Sequence, residues 1–354
     1  MVNTGLSAVS DHVLMVAVVI YSLAMLAYAA DFAYGRRGRA AAPAAQPVSE
    51  LAGVGARSAT ENDAAAVTAT AAAPPAGQAK GGGGDADVVS PGGLEKGRQR
   101  PGPLLRTAIG LTFLGAATHL AGVVTRSIAV DRVPWGDMYE FVITLTLVTM
   151  LFFIGVMLRF RAWHLGLFVT GAVMVALGLA QTIIYTAAGP LVPALKSYWL
   201  AIHVAAMTLS TGIFFVAAVL GVIYLFAERY ERQVAAGSAP ADHGIFRRLP
   251  GAEALDRLTY RTVVFGFPIW TFGIIAGAIW ADQAWGRYWG WDPVETWAFI
   301  TWVVYACFLH ARATAGWRGK RAAYIQILGF ACLLFNILVV QTFITGLHSY
   351  AGLG

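Results

Sequence analysis

Residues 198–226 read YWLAIHVAAMTLSTGIFFVAAVLGVIYLF, and this run decides the fold. It holds no Asp, Glu, Lys or Arg, and its only imidazole is His203. About 20 apolar residues in a helix cross the ~30 Å hydrocarbon core of a bilayer, so the run spans with residues to spare. In lipid no water pairs with backbone N–H and C=O groups, which restricts a spanning chain to helices or a closed barrel. Alternating ten-residue strands of the barrel kind are absent from the sequence, and helix is the reading.

Working outward, the same pattern recurs and gives eight expected helices: 11–34, 104–125, 138–158, 163–185, 198–226, 260–281, 295–312 and 322–347. The fold class is therefore an all-α polytopic membrane protein with about eight transmembrane helices. Composition agrees. Of 354 residues, 58% are hydrophobic and 12% charged, half the usual charged share. Mean hydropathy is +0.63. These values exclude a soluble globular enzyme, a disordered chain and a nucleic-acid binder as first readings.

The first span has no basic residues before it, and Arg36, Arg37 and Arg39 follow it. That pattern reads as a retained anchor with its N-terminus outside, not a cleaved signal peptide. Alternation then places 21 of the 25 basic residues inside, leaving Arg126, Arg132, Lys196 and Arg287 outside. Both termini are expected to be extracytoplasmic. Three regions follow: an N-terminal anchor, 1–34; a disordered cytoplasmic linker, 35–103, rich in Ala, Gly and Pro; and a seven-helix membrane domain, 104–354. The two cysteines, Cys307 and Cys332, lie in apolar runs and form no CxxC pair, so each reads as a buried apolar residue.

The chemistry concentrates in the expected outer loop 282–297. From Trp285 to Trp297 it carries five aromatics, Trp285, Tyr288, Trp289, Trp291 and Trp297, with Gly286 and Gly290 between them. An interfacial aromatic belt scatters one or two rings per helix end. Clustered rings on a glycine-bearing loop instead make a platform for a flat apolar ligand. Asp292, Pro293 and Glu295 read as a capping box for helix seven.

This loop resembles the tryptophan-rich WWD signature of haem-handling proteins, and within them the CcsA (ResC) family of cytochrome c biogenesis system II. Lys196 to Val204, around His203, resembles that family's first outer histidine segment. Pro134 with Met138-Tyr139-Glu140-Phe141 resembles its outer Pro…Tyr-Glu element, and Gly346-Leu347-His348-Ser349-Tyr350 its C-terminal His-Ser-Tyr. Val294 departs from the pattern, which has Lys at that place.

The resemblance implies haem b as substrate and ligand, with His203 and His348 as outer axial ligands and His310 as a transmembrane ligand of an inner site. Trp285, Trp289, Trp291 and Asp292 are the other expected cofactor-binding residues. No catalytic residue is assigned separately from haem binding. His119 reads as packed or hydrogen-bonded, and His12, His164 and His243 as solvated. Arg126, Arg132 and Arg287 are candidates for haem propionates, against a plain interfacial reading. Glu140 at a helix start reads as structural.

By the same resemblance the chain is a subunit of a holocytochrome c synthase in the bacterial plasma membrane. It would present haem outside and support thioether attachment to CxxCH motifs of apocytochrome c. The implied partners are a ResB-type membrane subunit, apocytochrome c and a thioredoxin-like thiol reductant. Two other classes stand beside this reading. A b-type haem electron-transfer subunit would want histidine pairs stacked across the bilayer, and only His310 is deep. A secondary transporter would want broken helices and midplane acids, and the helix interiors carry almost none.

Overall fold

The computed structural model describes residues 2–34, 101–189, 197–238 and 250–348, except the side chain of His164. Most of the expected linker, Lys196, His243, Ser349 and Tyr350 lie outside the described residues. Eight main helices form: α1 Thr4–Tyr34, α2 Pro103–Val130, α3 Met138–Phe160, α4 Gly166–Thr182, α5 Tyr198–Ala235, α6 Ala252–Trp285, α7 Pro293–Thr314 and α8 Lys320–Phe335. No strand occurs among the described residues. The chain is a multi-pass membrane protein by the length and apolarity of seven of these segments.

The expected helices all appear; α1 starts earlier, at Thr4, α2 runs on to Val130, and three further differences stand out. Helices α5 and α6 run past the apolar segment into polar sequence at their 235 and 252 ends, where Glu231 accepts the Ala252 N–H at 2.8 Å. Helix α4 is short. A 3₁₀ turn, Trp163–Leu165, precedes it, and its 17 residues cover ~26 Å at 1.5 Å each, under the ~30 Å of hydrocarbon. The last expected helix is not one rod. After α8 comes a π segment, Asn336–Val340, then a short helix α9, Gln341–Phe343, and Ile344 is extended. The extra residue of a π turn shifts the register of everything after it.

The helices pack as two groups. Helix α1 lies on α2 and α4; α5 lies on α6, with α8 behind it and α7 against α8; α3 joins the groups through α5. Between lipid-embedded helices there is little hydrophobic drive, so close approach at small residues carries the packing. Gly115 faces the Tyr21 ring and Gly122 faces Leu14, each leaving only 2.7 Å for a Cβ. The first segment thus packs as a member of the bundle.

Arg126 and Arg132 are both engaged in an ionic cluster around Glu140. Arg126 is fully buried and pairs with Glu140 at 3.2 Å and Asp11 at 3.5 Å; its other donors reach Ser7 at 3.1 Å and the Thr186 carbonyl at 2.8 Å. Arg132 pairs with the second oxygen of Glu140 at 2.5 Å. Glu140 is structural, as expected, but far more so than a helix-dipole residue, since it is 0% exposed. A buried ionic group left without its partner costs several kcal/mol.

Arg126→Ala is therefore expected to lower stability by about 3–5 kcal/mol. Arg132→Ala, at a side chain partly open to solvent, is expected to cost less. Thermal unfolding in detergent measures both, and equal losses would contradict this ranking.

Candidate functional site

The N-terminal ends of α3, α5 and α7, the C-terminal half of α6 and the segment after α8 line one cavity. Its wall includes His203, His348, Trp280, Trp285, Trp289 and Trp135. Its volume is about 150 Å³. An enclosed site for a drug-sized ligand holds ~300–1,000 Å³, so this cavity is small beside such a site.

His203 sits within the second turn of α5, and its Nδ1 lies 2.7 Å from the Gly273 carbonyl. Only a protonated Nδ1 makes that contact attractive, so the imidazole lone pair is on Nε2. Gly277, one turn further along α6, is where the ring lies flat against the helix. A Cβ there would stand 2.5 Å from Nδ1, so the position demands glycine. Trp280, one turn on again, stacks on the His203 ring at 6.3 Å and 14°.

His348 reaches the same cavity by another route. The chain leaves α9 in extended form and turns back over the start of α7. There Asp292 holds it. One carboxylate oxygen accepts from the Leu347 N–H at 2.7 Å; the other lies 2.9 Å from His348 Nδ1 and accepts from the Val294 N–H at 3.1 Å. Gly346 passes so close that a Cβ would be 2.5 Å from that carboxylate. The His348 ring meets Trp285 edge-on at 5.1 Å and Trp280 at 6.0 Å. Trp280 thus touches both imidazoles.

The capping box appears as read from sequence. Glu295 does more than cap. It accepts from Gly290 N at 2.9 Å and Asp292 N at 3.1 Å, and so spans Trp291 on both sides. Trp291 takes φ 57°, a strained value for a non-glycine residue. Its ring turns to Trp289 and Phe299 and is 64% exposed. Trp285 and Trp289 line the cavity; Trp291 is not among its wall residues. Arg287 lies 3.6 Å from Glu295.

Burial pushes the Asp292 carboxyl up, but its hydrogen bonds from His348, Leu347 and Val294 outweigh that and hold it below the usual carboxylate value. At the start of α3, Asp137 behaves oppositely. Burial, then the neighbouring Glu140, push it up to about 6, against its bond from the Glu140 N–H. Asp137 is on the cavity wall.

The remaining histidines separate. His119 is fully buried, with Nε2 3.0 Å from the Ile143 carbonyl, and is a packed residue as expected. His12 is exposed. His310 lies on α7 and is exposed on the outside of the bundle, far along the helix from the cavity. Cys307, expected to be buried, is exposed on the same helix.

Trp280, Gly277, Gly273, Trp270 and Asn336 were not singled out in the sequence. Each lies inside an apolar helix, where its type is ordinary. Only the i,i+4 pair of glycines before Trp280 hinted at a close approach.

Residues 126–348 match the family model for "Cytochrome C assembly protein". The chain belongs to this family. Cytochrome c biogenesis protein CcsA of Guillardia theta is 38% identical over 261 residues, covering 69% of this chain and 85% of that protein. CcsA of Gloeobacter violaceus is 35% identical over 288 residues, covering 67% and 84%. CcsA of Synechococcus elongatus is 40% identical over 198 residues, covering 46% and 61%. These likenesses put the chain in the CcsA family and in cytochrome c maturation. A solved structure, Cytochrome c Heme Lyase CcmF, superposes with a TM-score of 0.57 at 17% identity, over 96% of this chain. That is a likeness of fold, and the chain spans 47% of that structure's length.

Two outcomes follow for this CcsA-family site. Gly277→Ala is expected to displace the His203 ring and cost about 1–3 kcal/mol by overpacking. Gly110→Ala, at an α2 position where a Cβ meets nothing within 4 Å, is the control and is expected to hold or slightly raise the unfolding temperature, because Ala favours helix over Gly. The Asp292 contribution is full above its unfolded pKa, about 4, and is lost as pH falls through the lower folded value. Asp292→Asn is expected to flatten stability against pH below about 4, measured by thermal unfolding at a series of pH values.

Proposed function

We propose that this chain binds haem at the cavity and presents it for covalent attachment to apocytochrome c. One observation carries the reading. Two imidazoles reach a single indole-lined cavity, and each has its Nδ1 tied, one to the Gly273 carbonyl and one to the Asp292 carboxylate. That arrangement is the one seen in metal-bound histidines, whose second nitrogen is oriented and made more basic by such a partner. It aims Nε2 of each ring as the ligand atom. Imidazole pairs suit haem iron.

The indoles of Trp280, Trp285 and Trp289 supply flat apolar faces to a macrocycle. A cavity too small for the whole ring leaves an edge outside, where a CxxCH peptide can meet it. At that edge a cysteine S–H adds across a vinyl C=C. Sulfur bonds to the carbon next to the ring and hydrogen to the terminal carbon, so no electrons are gained or lost. The residues here hold and orient; the reacting groups belong to haem and peptide. Trp291, turned outward beside Trp289, fits the rim of such a site rather than its wall.

The orientation proposed is N-terminus and cavity on the extracytoplasmic side, as the arginine distribution favours. His310 is proposed as a ligand of an inner haem. Its exposure on the outside of the bundle suits a second ligand from another membrane subunit, of the ResB type. Haem b, apocytochrome c, a thioredoxin-like reductant and the bacterial plasma membrane remain parts of this proposal. So does the division into an anchor, a linker and a membrane domain.

His203→Ala and His348→Ala are each expected to convert bound haem at the cavity from six-coordinate low-spin to high-spin, or to lose it. Added imidazole is expected to restore the low-spin spectrum. His310→Ala is expected to leave that spectrum intact. Visible spectra of the purified protein measure this, and an unchanged spectrum in both outer variants would overturn the reading.

A further inference from the structure

Asn336 opens the π segment after α8, is 5% exposed and lies on the cavity wall. Its Nδ2 donates to the Val294 carbonyl at 3.2 Å, which fixes which way the amide points. Its Oδ1 is buried and has no hydrogen-bond partner. An acceptor in that state asks the occupant of the cavity for a donor. A second wall atom is in the opposite state. Trp270 Nε1 is a buried donor without a partner, on a residue 3% exposed.

On the proposed reading the occupant is haem, and this inference rests on that reading. The periphery of haem carries methyls, vinyls and two propionic acids. Its only peripheral hydrogen-bond donor is the O–H of a protonated propionic acid. A neutral carboxyl offers both a donor and an acceptor, whereas a vinyl or methyl edge offers neither. The wall also disfavours an ionised propionate. Asp137 from the start of α3 and Glu295 from α7 line it, with His203 from α5, His348 from the C-terminal segment and Tyr288 from the loop. No Lys or Arg is among its wall residues; Arg287 stands behind Glu295 and Arg132 behind Gly136, each already paired with a carboxylate, Glu295 and Glu140. In such surroundings the neutral acid is the favoured form.

We propose that Asn336 Oδ1 accepts the O–H of a protonated haem propionic acid. The tetrapyrrole then sits with its acid edge against the α8 wall and its vinyl edge away from it. This assigns Asn336 as a positioning residue: it selects which edge of haem is left for the peptide.

The test uses the full-length chain in detergent, titrated with haem b and with its dimethyl ester, at pH 6 and pH 8. The ester lacks the O–H. The Soret band gives each affinity, referenced to detergent alone. Protonation of His203 or His348 affects both porphyrins alike and cancels in their ratio. The wild-type protein is expected to favour the acid at pH 6 by about three- to tenfold, the size of one neutral hydrogen bond, and less at pH 8. Asn336→Leu is expected to remove the preference while ester affinity holds. An acid-to-ester ratio unchanged by Asn336→Leu overturns the inference and leaves the proposed function standing; it is the result expected if water alone satisfies Oδ1. Should the variant fail to fold, the wild-type ratio decides, and one that does not fall from pH 6 to pH 8 overturns the inference. No Soret change with either porphyrin overturns the proposed function and this inference together.

Discussion

The carboxylate of Asp292 is the constraint on which the site depends. It begins α7 by capping Val294, and it also ties down Leu347 and His348, more than 50 residues later in the chain. Without it the C-terminal segment has no fixed course over α7, and His348 has no reason to face His203. The carboxylate is nearly buried, so its bonds are made in a medium where a lost partner is expensive. The same group thus serves the helix start, the path of the chain and the tautomer of an imidazole. Glu295 completes the arrangement from one turn below, by gripping the backbone around Trp291.

The other half of the bundle serves the site at a distance. Glu140 accepts from the Gly136 N–H at 2.9 Å, and Thr144 donates to the Pro134 carbonyl at 2.9 Å. These bonds shape the 134–137 turn, which brings Trp135 and Asp137 to the cavity. Arg126 and Arg132 hold Glu140 in turn, and Asp11 on α1 joins them. Two of the arginines expected on the outside therefore act on the turn through a carboxylate. α1, which as an isolated sequence reads as a simple anchor, helps hold the turn that lines one wall of the site.

Much of this was legible in the sequence, for a physical reason. Apolar runs uninterrupted by charge have one solution in lipid, and polar residues that survive among them stand out. His203 stood out for that reason; Trp285 and Trp289 stood out by clustering in one loop, the Asp292 cap by its Asp-Pro-x-Glu spacing, and His348 through the family resemblance. Features set by helix packing were not. The burial of Arg126 depends on where Asp11 and Glu140 arrive, which no local pattern encodes. The π segment at Asn336 interrupts a run whose hydropathy gives no sign of a break. Trp280 and Trp270 are ordinary in an apolar helix until the rings opposite them are known. Trp291 stands in the same tryptophan cluster, and the structure packs its ring on Trp289 and Phe299 and leaves it largely exposed, which its sequence position did not distinguish from its neighbours.

The central claim is that two histidines share one iron atom. Pulsed electron paramagnetic resonance of the ferric haem-loaded protein, with its histidines labelled with nitrogen-15, tests it directly. The account predicts two axial imidazole nitrogens coupled to a single low-spin iron. A single coupled imidazole, or none, at the cavity haem would contradict it.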